Sequence, residues 1–193
     1  MFYGKGHYLE TALYKIKQIP IPRRVCRADS FLYKYNDQIY VFFEKYSYKT
    51  KKGSIVCGKI ASDNKNEYKI TEIKDILDLE YHLSYPQIIK EKGEIFLIPE
   101  THKKKRLEVY KCVGFPDKWE FYATAFDGEE IVDTTYFCDD SGDEWLFMNK
   151  SLENHEELHI YKISSLKLEN ITPHKENPVL LDCRKTRNGR RSL

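Results

Sequence analysis

No stretch of this sequence approaches the roughly 20 consecutive apolar residues that a membrane-spanning helix requires. The amino terminus, MFYGKGHYLETALYKIKQ, also lacks the apolar core of a secretory signal. The expectation is a soluble, cytoplasmic protein. The five cysteines, Cys26, Cys57, Cys112, Cys138 and Cys183, are odd in number and include no CxxC pair. That layout suggests neither a disulfide framework nor a zinc site, so a reducing compartment is inferred and no cofactor is implied. An excess of one charge is missing too: 32 Lys and Arg against 30 Asp and Glu leave a net charge of +2. No global field therefore draws the chain to nucleic acid or to a membrane. Helical patterning is nearly absent; only residues 72–83, EIKDILDLEYHL, have apolar spacing that a helix could use, and they read as a loop or short turn.

What is present is aromatic and repetitive. The chain is 41% hydrophobic, enough for the core of one domain, and carries fifteen Tyr and ten Phe in 193 residues, a balance that favours the half-buried surface of a sheet. Residues 28–44, ADSFLYKYNDQIYVFFE, superpose without a gap on 84–100, SYPQIIKEKGEIFLIPE, at an offset of 56. Each reads as a hairpin: an apolar strand, a polar turn (Asn36-Asp37; Lys92-Gly93) and a second aromatic-rich strand. A third copy, 132–149, has one extra residue in its turn. A third strand follows each hairpin (54–62, 106–113, 157–165), then a more polar fourth segment such as EYKITEI or WEFYATA. Four short antiparallel strands repeated at this period describe propeller blades. The fold class predicted is all-β: a single incomplete domain over 1–193, with blades at about 26–80, 81–130 and 131–180 and the start of a fourth at 181–193. Three blades and a fraction leave open sheet edges, which a further chain or a second subunit would have to cover.

The motifs AD-SF at 28–31, HLSYP at 82–86, IPE at 98–100, GFPDKW at 114–119, VDTT at 132–135, WLF at 145–147 and HKENPV at 174–179 carry a resemblance. Together they resemble the five-bladed propeller domain at the amino terminus of plant glucosamine inositolphosphorylceramide transferases. Bacterial proteins of surface-polysaccharide loci, some fused to formyltransferase-like domains, carry a similar domain. The likeness runs in order over about residues 24–190. That family in turn resembles the furanosidase and arabinanase propellers, in which first strands of several blades each supply an acidic residue. On that analogy Asp29 stands where those hydrolases hold a general base. Ser30 replaces the usual Pro, and Ser84-Tyr85-Pro86 replaces an Asp-bearing motif, so the middle acid of a hydrolytic set is missing from its expected place.

Chemistry at an anomeric carbon commonly uses two carboxyl groups, one ionised and one held protonated. Asp29 and Asp133 hold equivalent first-strand positions and could converge on a central channel; Glu44 and Glu100 are a second equivalent pair, each ending a second strand. The candidate catalytic residues are Asp29, Asp133 and Glu100. Candidate substrate-binding residues are His82, which could orient a phosphate or hydroxyl, Tyr85, which could stack on a sugar, Glu44, and Arg184 with Arg187, whose guanidinium groups suit an anionic substituent. Each also has a structural reading: the acids as acceptors for neighbouring turns, and the tail RKTRNGRRSL as a solvated end. The run HKKKR at 102–106 reads as a solubilising or edge-protecting loop rather than a nucleic-acid site. The aromatic strands and Trp119 read as core. The function implied is a carbohydrate-active or carbohydrate-binding domain acting on a sugar, sugar nucleotide or glycan in surface polysaccharide or glycolipid synthesis. The alternatives are a non-catalytic carbohydrate-binding or scaffold module, or a truncated nonfunctional product; whether the domain is an enzyme stays open.

Overall fold

Alternating apolar residues between Asn-Asp, Lys-Gly and Asp-Ser-Gly turns form antiparallel strands throughout, and among the described residues there is no α-helix. The computed structural model describes residues 2–3, 17–19, 26–62, 67–150 and 157–181. Strands β1 (Phe2–Tyr3) and β2 (Lys17–Gln18) pair as a small ribbon. The first sheet runs in sequence order through β3 (Cys26–Tyr35), β4 (Gln38–Ser47), β5 (Lys52–Ser62) and β6 (Tyr68–Leu77). The second runs through β7 (Ser84–Glu91), β8 (Glu94–Glu100), β9 (Leu107–Gly114) and β10 (Lys118–Ala125). The third comprises β11 (Ile131–Cys138), β12 (Glu144–Lys150), β13 (Glu157–Ile163) and β14 (Ile171–Pro173), with β15 (Leu180–Leu181) pairing the other end of β13. Each sheet is a meander, and β7 lies against both β3 and β11, so the three first strands are neighbours. This is a partial β-propeller.

The core lies between the sheets, because alternate residues of each strand face opposite neighbours. Phe31, Phe42, Ile55 and Cys57 of the first sheet meet Ile88, Leu97 and Tyr110 of the second. The other face of the second sheet, with Ile89, Phe96, Ile98 and Val109, meets Ile131, Leu146, Met148 and Ile163 of the third. Each fully buried side chain of this size contributes roughly 1.5–3 kcal/mol. Phe115 wedges between the first two sheets, stacked on Tyr35 with centroids 4.1 Å apart and edge-on to Tyr40 at 4.8 Å. Trp119 meets Phe42 edge-on and donates its indole N–H to the Pro116 carbonyl at 2.7 Å. The longer turn of the third unit is organised by Asp139, whose carboxylate accepts the N–H groups of Ser141 and Asp143 and the indole N–H of Trp145.

The structure corrects one sequence expectation. Residues 72–77, read as part of a loop or short turn, are the second half of β6. Pairing of β6 with β5 is interrupted by two register shifts, and Glu72 has φ +51°. Such bulges reset which face a side chain occupies, so Ile73 is exposed while Ile76 and Leu77 are buried. The resulting spacing mimics a helical period.

Candidate functional site

Three first-strand residues share a backbone feature that marks one end of the sheets. Asp29, Tyr85 and Asp133 occupy the same position of β3, β7 and β11, and all have positive φ, at 50°, 45° and 52°. Each lies in a break of pairing with the second strand, between Ala28 and Phe31, Ser84 and Gln87, and Val132 and Thr135. A left-handed conformation at a non-glycine residue costs about 1–3 kcal/mol, and such residues gather at functional sites. Three in register form a pattern built by the fold. Asp29 is exposed, whereas Tyr85 and Asp133 are buried. The Tyr85 hydroxyl lies 3.3 Å from Thr135 Oγ1, bridging the second and third sheets. Gln87 makes the same bridge with its amide, accepting the Tyr136 N–H at 2.7 Å and donating to the Tyr136 carbonyl at 3.0 Å.

The residue before each bulge pairs with the second strand: Ala28 with Glu44, Ser84 with Glu100 and Val132 with Asn149; Glu100 ends its strand as expected, whereas β4 runs on past Glu44 to Ser47. Glu44, Glu100 and Asn149 are therefore a second equivalent ring, and their surroundings differ. Burial of Glu100 favours its neutral form, but His102 Nδ1 at 3.0 Å, the Asp133 N–H at 3.1 Å and Ser84 Oγ at 3.1 Å outweigh it, holding the carboxyl below its ordinary range. Glu44 is pushed up from 4.5 to about 7, first by burial and then by the charges of Asp29 and Glu100. Two equivalent carboxyls on adjacent sheets are thus driven apart, one ionised and one half-protonated near neutrality.

His82 sits between them. Its Nε2 is 3.6 Å from Glu44 Oε1, its Nδ1 accepts the Gly53 N–H at 2.9 Å, and its ring is 6.0 Å from those of His102 and Tyr46. Burial and the neighbouring His102 lower its pKa. The packing explains why residue 53 is glycine: a Cβ there would stand 2.4 Å from the Leu83 carbonyl oxygen and 2.6 Å from Glu44 Oε1.

Of the residues singled out from sequence, Glu44, His82, Tyr85, Glu100, Asp29 and Asp133 gather at this end; Arg184 and Arg187 lie outside the described residues. Sequence reasoning passed over His102, Gly53 and Gln87. His102 opens the run read as a solubilising loop; Lys103, Lys104 and Lys105 are exposed there, and a single 3-10 turn (His102–Lys104) shapes the connection. Glu100 pairs with His102, Glu130 with Lys105 and Glu108 with Arg106, while Lys104 lies over the Tyr81 ring. An isolated glycine inside a strand pattern was the one signal for Gly53. Among the described residues no group of three or more His, Cys, Asp or Glu side chains could hold a metal ion.

Several solved structures share this fold. A GH32 β-fructofuranosidase from Bombyx mori superposes with a TM-score of 0.61 at 13% identity, over 82% of this chain and 38% of that one. The catalytic domain of a GH62 α-L-arabinofuranosidase from Coprinopsis cinerea gives 0.59 at 12% identity, over 83% and 53%. In sequence, the chain is 33% identical over 156 residues to glucosamine inositolphosphorylceramide transferase 1 of Oryza sativa subsp. indica, covering 79% of this chain and 20% of that protein. The counterpart in Arabidopsis thaliana is 32% identical over 170 residues, covering 86% and 20%. The chain thus spans about one fifth of the length of these relatives. Residues 15–193 match the family described as glucosamine inositolphosphorylceramide transferase 1, N-terminal, and on that match together with the shared identity the chain belongs to this family.

Proposed function

We propose that the end of the sheets bearing Asp29, Glu44, His82, Glu100 and Asp133 binds a sugar, sugar nucleotide or glycan, and that the domain serves glycolipid or surface polysaccharide synthesis in the cytoplasm. The observation that carries this reading is the gathering of these carboxyls at one end of the sheets, with the Glu44 carboxyl raised to about 7 and that of Glu100 held below its ordinary range, an inequality of the kind that glycosyl chemistry uses. Glu44, half-protonated near pH 7, would give its proton to a leaving oxygen. Asp29, exposed on its bulge, would accept a sugar hydroxyl or act as base, and Asp133 would hold the opposite side. Membership in a family named for a glucosamine inositolphosphorylceramide transferase supports a carbohydrate substrate. The test is calorimetric titration of the full-length protein with sugar nucleotides and glycans: Asp29→Asn and Asp133→Asn should each weaken binding about tenfold, roughly the 1.4 kcal/mol of one hydrogen bond to a charged group. Full binding in both variants would remove the proposal.

A non-catalytic scaffold is favoured by a different observation. Glu100 ties Ser84, His102 and the backbone of Asp133 together across two sheets, so its replacement would loosen the sheets rather than slow a reaction. Glu100→Gln with lowered stability and unchanged sugar affinity would place that residue in a structural role.

The reading extends to a partner. Phe137 and Trp145 of the third sheet correspond in the repeat to Ile89 and Phe96, which pack the second sheet on the third. Phe137 is 47% exposed, and the amide of the fully buried Asn149 has no hydrogen-bond partner among the described residues. We assign this face to a further β-sheet, from the same polypeptide or a second subunit. Sedimentation of the isolated 193-residue chain should show concentration-dependent association that Phe137→Glu abolishes; a monomer at every concentration would exclude the second subunit.

A further inference from the structure

Residues 78–83 link the first sheet to the second, and they are held from both sides. On the first sheet, Lys52 pairs with Asp78 at 2.7 Å and donates to the Leu79 carbonyl, and the Gly53 carbonyl accepts the Leu83 N–H at 3.0 Å. On the second, the Tyr81 hydroxyl donates to Glu108 Oε2 at 2.6 Å. Glu108 is 0% exposed, and its carboxylate also accepts Tyr110 Oη at 2.5 Å, Arg106 Nε at 2.8 Å and Arg106 Nη2 at 2.6 Å. A buried carboxylate with four donors is a rigid anchor. His82 follows Tyr81 directly, so the anchor bears on the histidine that faces Glu44.

The orientation of that ring fixes its proton. The Gly53 N–H points at Nδ1, which must therefore present a lone pair, leaving the hydrogen of the neutral imidazole on Nε2. Nε2 is the nitrogen that faces Glu44 Oε1, at 3.6 Å. This is just beyond hydrogen-bond length and leaves room for the contact to tighten around a ligand.

We propose that Tyr81, through the buried carboxylate of Glu108, is a positioning residue that holds His82 as its Nε2–H tautomer towards Glu44. Tyr81 acts through the linker that it shares with His82. The linker thus serves as a clamp between two sheets, with the Gly53 N–H setting the tautomer and the Tyr81 hydroxyl setting the ring's place. Use of this N–H on a sugar rests on the function proposed above, whereas the tautomer and its dependence on Tyr81 do not.

Long-range proton–nitrogen spectra of the full-length protein with labelled histidine, recorded at pH 8, read the tautomer without any sugar. The wild type should show a lone-pair shift at Nδ1 of His82 and an N–H shift at Nε2. Tyr81→Phe keeps the ring and loses one hydrogen bond; it should raise the Nδ1–H fraction of His82 several-fold while leaving His102 unchanged. Glu108→Gln, which removes the charge of the anchor, should do the same and provides the reading if Tyr81→Phe folds poorly. An Nδ1–H tautomer in the wild type overturns the proposal outright. A His82 spectrum unchanged in a folded variant of either kind overturns the role of Tyr81, leaving Gly53 alone to set the ring. If the tautomer responds as expected but Glu44→Gln leaves sugar turnover intact, the clamp stands and the proposed chemistry falls.

Discussion

Replacing Glu108 with alanine is expected to lower the unfolding free energy by about 3–5 kcal/mol, because a buried ion pair that loses one partner leaves the other's charge and donors unanswered. Arg106 and the hydroxyls of Tyr81 and Tyr110 all converge on this one carboxylate. With it gone, the phenol of Tyr110, a core residue between the first two sheets, keeps only the long 3.5 Å contact with the Tyr81 hydroxyl and is poorly satisfied. Urea titration at pH 7 measures the loss, and a drop below about 1 kcal/mol, the scale of an exposed ion pair, would show that water replaces the carboxylate. The pH dependence has a definite sign. Burial pushes Glu108 up, but Tyr110, Tyr81 and Arg106 together hold it below its ordinary range. Its contribution is therefore full above the ordinary carboxylate pKa and lost as pH falls through the lowered value. Acid should unfold the wild type with a steeper pH slope than Glu108→Ala.

Glu44→Gln is expected to cost 10²–10⁴-fold in turnover if the chain acts on a glycosidic bond, the usual span for a general acid, with little loss of fold. Turnover that survives at more than about a tenth of the wild-type rate, well short of that span, would remove Glu44 from the chemistry. Its effect on stability runs opposite to that of Glu108. Because the folded carboxyl is raised from 4.5 to about 7, its favourable contribution is complete below about pH 4.5. That contribution disappears as pH rises through about 7, where a charge must be carried next to Asp29 and Glu100. Thermal midpoints of the wild type should thus fall between pH 5 and 8 relative to those of Glu44→Gln. Parallel curves for the two proteins across that window would show that the carboxyl titrates normally.

The gapless offset of 56 residues places Asp29 opposite Tyr85 and Glu44 opposite Glu100, and the bulges and pairing show the same equivalences. That much was legible because a repeat must present the same periodic face each time it packs on a neighbour. The difference between Glu44 and Glu100 was not legible. Each follows an apolar run in a similar sequence setting. Only the contacts from Ser84, His102 and the Asp133 backbone, contributed by three different segments, separate them. Glu108 was missed for a related reason: in RLEVYKCV it alternates like any solvent-facing acid, and its donor Tyr81 lies 27 residues earlier. The β6 segment failed where local pattern was trusted, since bulges changed its period.

The sequence by itself determined the elements: strand alternation, turn residues and a repeat with equivalent acids follow from local geometry and from the need of each sheet to bury two apolar faces. Only the tertiary structure decided which equivalent acid is ionised, which histidine nitrogen carries the proton, and which carboxylate is an anchor rather than a solvated charge. Those properties depend on burial and on donors brought together from distant segments, and a carboxyl group's proton is governed by its surroundings rather than by its place in the chain.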